Sequence, residues 1–365
     1  MDSRTRFVNC LLFQDIDRIP LVEWPIREAT MNAWLQQGYP AGTATQIFFD
    51  LDAYTVNIPI DLGMRPRFDE RILEQNSRYK IWQDSLGAIR KDFLHDASPG
   101  FVTRTWLEFP VKTRQDFNKM KQRYLAASTD RYPENWLERA AILNQSAAAT
   151  HLSIPYLFWT ARDWVGFENL CLMFYDNPRL VQDMFEFITD FCIETLKDKI
   201  DAFQIDLVEF KEDMAYKHAP MISPDMFRKF MAPHYVRLIT FLKSHGVKIV
   251  YVDCDGYPGG LIPHFIDAGV DAMSPVEIAA GNDLLELRQQ YPGFGMLGGI
   301  DKRELAKDRK AIYNEVISKV PSLLNKGGYI PHVDHAIPHD VPLANYLYYR
   351  RVLTQVDYGD SVETP

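Results

Sequence analysis

The chain has 365 residues, 47% of them hydrophobic, and a formal net charge of −9. That is apolar material enough for one large α/β barrel or for two domains, and an acidic balance with pI near 5.5 excludes nucleic acid as the main partner. No apolar run reaches the roughly 18 residues that span a membrane, and the opening MDSRTRFVNC has no apolar signal core, so a cytoplasmic location is expected.

In chain order, residues 4–13 read as a short helix ended by the polar turn DIDR and Pro20. LVEW (21–24) reads as a strand, 27–38 has helical spacing with a stop at Gly38, and AYTVNIP (53–59) is a second strand. From 78 to 111 polar and apolar residues alternate around Ser85-Leu86-Gly87, which predicts an antiparallel excursion. A helix at 116–124 and a hydrophilic link through Pro133 follow.

From 137 onward the rhythm is regular. A helix leads to strand 151–159, helices over 163–203 lead to strand 205–210, and helix 224–244 leads to strand 247–253. Helix 257–267 precedes strand 270–275, helix 282–290 precedes strand 293–299, and helix 302–325 precedes strand 327–333, with a closing helix from 341. Strands separated by helices imply parallel pairing with right-handed crossovers. LVEW and AYTVNIP bring the count to eight. The predicted fold is therefore α/β: a (β/α)8 TIM barrel with an N-terminal extension and an antiparallel insertion, one domain over 1–365. The four cysteines, Cys10, Cys171, Cys192 and Cys254, fall in no paired spacing and fit a reducing compartment.

The later strands end in ionisable residues, where a parallel barrel keeps its chemistry. Asp253 and Asp255 flank Cys254 before a turn at Gly256. Two apart on an extended backbone, their carboxylates share one side. They could bind a hard cation or zinc, work as an acid/base pair, or simply form a solvated turn with a capped helix start. Asp334 and His335 follow the last strand, with His332 and His339 nearby. A His beside carboxylates is a ligand, a proton carrier or an ordinary loop residue. Glu209, Glu212, Asp213 and Lys217 form a charge-dense segment at the end of strand 205–210, with Glu212 and Asp213 favoured for the cleft, and Arg162 and Asp163 stand after the strand ending at Trp159. Either set faces the cleft or is a solvated surface. Trp24 and Tyr251 lie at strand ends, where core packing is the default and an apolar ligand the alternative. No GxGxxG after a strand, P-loop, GxSxG or CxxC occurs.

Several stretches together resemble the uroporphyrinogen decarboxylase superfamily. They are FVNCLLFQDIDRIPLVEW (7–24), EDMAYKHAPMISPDMFRKFMAPHY (212–235), VDCDG, GVDAMSPVE (269–277), LGGIDKREL (297–305) and GGYIPHVDHAIPHDVPLANY (327–346). The resemblance implies a (β/α)8 barrel. True decarboxylases carry an Arg-rich RQAGRY-type segment that grips porphyrinogen carboxylates. Here EWPIREATMNAW stands in its place and keeps Arg27 without the pattern. The other branch holds corrinoid-dependent methyltransferases, which bind zinc through a His-x-Cys pair and a later Cys. Those positions fall on Asp253, Asp255 and His335. The resemblance thus implies a harder site for zinc or another divalent metal, binding oxygen rather than a thiol.

The first reading is a methyltransferase working between a small O- or N-methylated substrate and a corrinoid supplied by a partner protein. In it Asp253, Asp255 and His335 hold a metal or protonate the leaving oxygen. Glu212 joins the catalytic set, and Asp213, Lys217, Arg162, Trp24, Tyr251 and Asp334 bind substrate. The second is a metal-free decarboxylase or lyase, with Arg162, Lys217 or Lys302 binding a carboxylate and an Asp protonating the carbanion. A third is a non-catalytic barrel that binds a ligand or scaffolds a partner. A homodimer is compatible with all three; nucleic acid and membrane partners are not expected.

Overall fold

In a computed structural model the described residues are 1–94, 103–324 and 327–358. Seven parallel strands form one curled sheet in chain order: β1 (Thr55–Asn57), β2 (Ala149–Pro155), β3 (Leu207–Lys211), β4 (Ile249–Asp253), β5 (Ala272–Ser274), β6 (Gly295–Ile300) and β7 (Tyr329–Val333). The TIM-barrel-like architecture expected from the sequence is present. Every residue of β4, β6 and β7 is buried, as expected of parallel strands covered on both faces.

The period of two sorts the strand residues. Leu152, Ile154, Val208, Phe210, Val250 and Val252 point outward into the core shared with the helices. Ala149, Leu207, Ile249, Ala272, Leu297 and Ile330 point inward. The inward set packs against Phe7, Val8, Cys10 and Leu11 of the N-terminal helix Ser3–Leu11, which closes the barrel floor. Asp2 caps that helix through the Thr5 N–H. Buried Asp206 ties its start to the sheet, accepting from Arg4, Lys248 and the Thr150 N–H.

LVEW forms no strand. Leu21–Trp24 runs extended through the gap between β1 and β7 without a ladder. Its polar groups are taken elsewhere: the Leu21 N–H by the Asp52 side chain, and the N–H groups of Trp24 and Val333 by the Glu23 carboxylate. The antiparallel excursion is a four-stranded meander (Arg71–Gln75, Tyr79–Gln83, Ile89–Phe93, Arg104–Glu108), beginning earlier than expected. Its expected stretch 95–102 lies outside the described residues.

Strand 151–159 ends sooner, at Pro155, and Phe158, Trp159 and Arg162 belong to the helix Leu157–Val165. The single helix expected over 302–325 is three, Lys302–Leu305, Arg309–Ile317 and Val320–Leu324, because Asp308 caps a fresh start through the Ala311 N–H. All four cysteines are free, and Cys10, Cys192 and Cys254 are buried. Among the described residues no helix is long and apolar enough to cross a membrane.

Candidate active site

The inward positions turn polar toward the C-terminal ends of the strands. Asn57 and His151 are register partners, and their side chains meet at 2.9 Å. One layer higher, Ser153, Glu209 and Tyr251 lie in register across three strands. The Tyr251 hydroxyl donates to Glu209 at 3.1 Å and lies 3.1 Å from His151 Nε2. Ser153 donates to the other Glu209 oxygen. Burial holds the Tyr251 phenol far above its ordinary range and lowers the His151 imidazole. The network is a neutral floor around one carboxylate.

Asp253, the last residue of β4, stands one layer above this floor. It is 8% exposed. Burial first, then the nearby carboxylates of Glu209, Asp213 and Asp255, push its carboxyl up to about 8, against a smaller opposing pull from Lys211. At neutral pH it holds a proton.

Asp255 and His335 do come together, at 3.4 Å, both partly exposed. The His335 ring stacks on Trp24 at 6.0 Å, and His332 also neighbours Trp24, tilted, at 6.2 Å. A cavity of about 690 Å³ opens here, lined among others by Arg27, Asp255, Glu277, Lys302, His335 and His339. Of the metal set named from the sequence, Asp255 and His335 line this cavity together and Asp253 does not line it. Asp253 makes no hydrogen bond or ion pair with Asp255 or His335. Among the described residues no three His, Cys, Asp or Glu side chains are placed to hold a metal ion.

The other sequence-derived residues divide. Asp213 sits at the mouth with φ +41°, its carboxylate accepting the Asp255 N–H and its carbonyl accepting from Arg162. Burial, then Asp255, raises its carboxyl. A non-glycine residue held in the left-handed region stores strain, and such strain clusters at functional sites. Arg162 lies over the Trp159 ring at 4.4 Å.

Three residues leave the cleft. Glu212 is fully buried and caps the helix Leu157–Val165, taking the N–H groups of Phe158 and Trp159 and the Tyr235 hydroxyl. Asp334 is fully buried beneath the loops, taking the Ile278 N–H at 2.9 Å and the Lys302 ammonium at 3.3 Å. Lys217 is exposed at the tip of a two-stranded hairpin, Ala215–Tyr216 with Ala219–Pro220, and lines none of this cavity.

Asn57, His151 and Ser153 were missed as site residues, and Glu209 was named in the charge-dense segment but passed over for Glu212 and Asp213. A signal existed: each is polar at an inward position of an otherwise apolar strand. Gly256 is required by the turn that brings Asp255 round. Its φ is +83°, and an added Cβ would sit 2.8 Å from the Tyr216 carbonyl oxygen. Gly256→Ala is expected to cost about 1–3 kcal/mol, read by urea unfolding; an unchanged midpoint would refute the packing of that turn.

A curled parallel sheet with an acid-rich polar cleft at the C-terminal ends of its strands is the working end of a barrel-type enzyme. The chain belongs to the uroporphyrinogen decarboxylase (URO-D) family, whose family model matches residues 158–353. Among solved structures, a methyltransferase from Methanosarcina mazei is similar over 98% of this chain and 99% of its own, at 13% identity and TM-score 0.60. A B12-independent methionine synthase from Shewanella sp. W3-18-1, in complex with selenomethionine, covers 90% of this chain and 85% of its own at 12% identity and TM-score 0.42. The first likeness is one of fold, and the second is too distant to bear on the site. No curated protein matches the chain.

Proposed function

We propose that the chain moves a methyl group from a small O- or N-methylated substrate to a corrinoid carried by a separate protein. The observation that carries this reading is Asp253: a strand-end carboxyl, 8% exposed, that burial and the carboxylates of Glu209, Asp213 and Asp255 raise to about 8, two residues before Asp255, which lines the cavity. A methyl ether or amine is a poor methyl donor until its leaving atom is protonated or polarised. Asp253 holds that proton. As the bond from methyl carbon to oxygen or nitrogen breaks, its electron pair stays on the heteroatom, which takes the Asp253 proton. A corrinoid brought by the partner protein would supply the nucleophile to which the methyl group goes. The Tyr251–Glu209–His151 floor fixes the strand ends beneath Asp253. His335, held against the Trp24 ring, gives the cavity an aromatic edge for an unsaturated substrate.

The decarboxylase reading finds less support. Lys217 is outside the cleft, Arg162 is spent on the Asp213 carbonyl, and Lys302 is shared between Glu277 and Asp334. The test is turnover of methoxylated aromatics and N-methyl compounds with reduced cobalamin, followed by its absorbance. Methyl transfer is expected. Release of carbon dioxide from small carboxylic acids, with no methyl transfer from any donor, would transfer the assignment to the second reading.

A further inference from the structure

We infer that His335 serves the cavity as a fixed hydrogen-bond donor, and that His332, also beside Trp24, is the imidazole with the open lone pair. This reverses the role that the family resemblance implies for position 335, a metal ligand, and it holds whatever group the enzyme transfers.

The argument is one of ring nitrogens. The Ala336 N–H donates to His335 Nδ1 at 2.7 Å. A backbone N–H can only donate, so Nδ1 carries the lone pair and the ring proton sits on Nε2. That nitrogen faces Asp255 at 3.4 Å, long for an N–H···O bond, so the proton remains available to a ligand in the cavity that His335 lines. A metal held through Nε2 would need the lone pair there and the proton on Nδ1, where it would meet the Ala336 N–H head-on. Metal-bound imidazoles normally give their second N–H to an acceptor; here the main chain offers a donor.

His332 is the mirror case. Its Nδ1 lies 2.8 Å from the Val333 carbonyl oxygen, which can only accept, so Nδ1 is protonated and Nε2 is an acceptor. Nε2 is buried and has no hydrogen-bond partner. The indole N–H of Trp24, whose ring neighbours both imidazoles, is also buried without a partner. Burial keeps His332 neutral, lowering it to about 4. The ligand group that suits the His335 donor is an acceptor. It presents a lone pair, such as an ether or carbonyl oxygen, to His335.

The experiment is long-range ¹⁵N–¹H NMR on the full chain labelled at histidine, with His335→Gln and His332→Gln assigning the two rings. The expected result is a proton on Nε2 of His335 and on Nδ1 of His332, unchanged by one equivalent of zinc. In Asp255→Asn the His335 proton is expected to stay on Nε2, because the Ala336 N–H sets it. A proton on His335 Nδ1, its migration there in Asp255→Asn, or a zinc-induced shift of His335 Nε2 at one equivalent would each overturn the inference.

Discussion

Asp253→Asn is expected to lower methyl transfer by about 10²–10⁴-fold, the usual worth of a placed general acid, while leaving the fold more stable at neutral pH. Asparagine keeps the shape and can still donate a hydrogen bond, but it has no proton to give. The sign of the stability effect follows from linkage. The Asp253 carboxyl is raised from 3.8 to about 8 in the folded chain. Between those values the folded chain holds a proton that the unfolded chain has released, so stability falls as pH rises through that window. Removing the group removes that slope, and the gain at pH 7 is on the order of a few kcal/mol. Activity of the wild type is expected to fall as pH rises through about 8, as the acid loses its proton. Kinetics and urea unfolding across pH check both. Full activity in the variant, or a variant less stable at pH 7, would contradict the assignment.

Glu212→Ala should have the opposite signature. This carboxyl touches no part of the cavity and holds two main-chain N–H groups and a tyrosine hydroxyl. Burial raises it to about 7, with those bonds pulling the other way. Truncation leaves the start of the helix Leu157–Val165 and the Tyr235 hydroxyl unsatisfied in the core. The expected loss is about 3 kcal/mol or more, read by urea unfolding, with turnover per folded molecule changed far less than in Asp253→Asn. A large loss of turnover with unchanged stability would return Glu212 to the reacting groups, where the sequence first placed it.

The contrast between these two acids shows what the sequence could carry. Strands such as 247–253 were legible because an apolar run of strand length, bounded by turn residues, has one reading in a repeating β/α pattern. Asp253 was legible with them, as the last residue of such a run. Glu212 and Asp334 occupy the same kind of position, yet both turn inward to satisfy N–H groups at loop and helix starts. A carboxylate just past a strand can serve substrate or main chain, and only the neighbouring loops decide. LVEW failed for a related reason: the apolar pattern was right, but Glu23 and Asp52 take the N–H groups that a ladder would use. The polar floor escaped because its members lie in four different strand segments and meet only through register. The tautomers of His332 and His335 depend on single main-chain contacts and have no trace in sequence.

The account rests on one proton. Its most direct test is the titration of Asp253 by ¹³C NMR in chain labelled at aspartate carboxyls, with the resonance assigned from Asp253→Asn. A carboxyl titrating near 8 is the predicted result. An Asp253 resonance fully ionised by about pH 5, as in an ordinary exposed aspartate, would leave no acid for the leaving group and would contradict the mechanism.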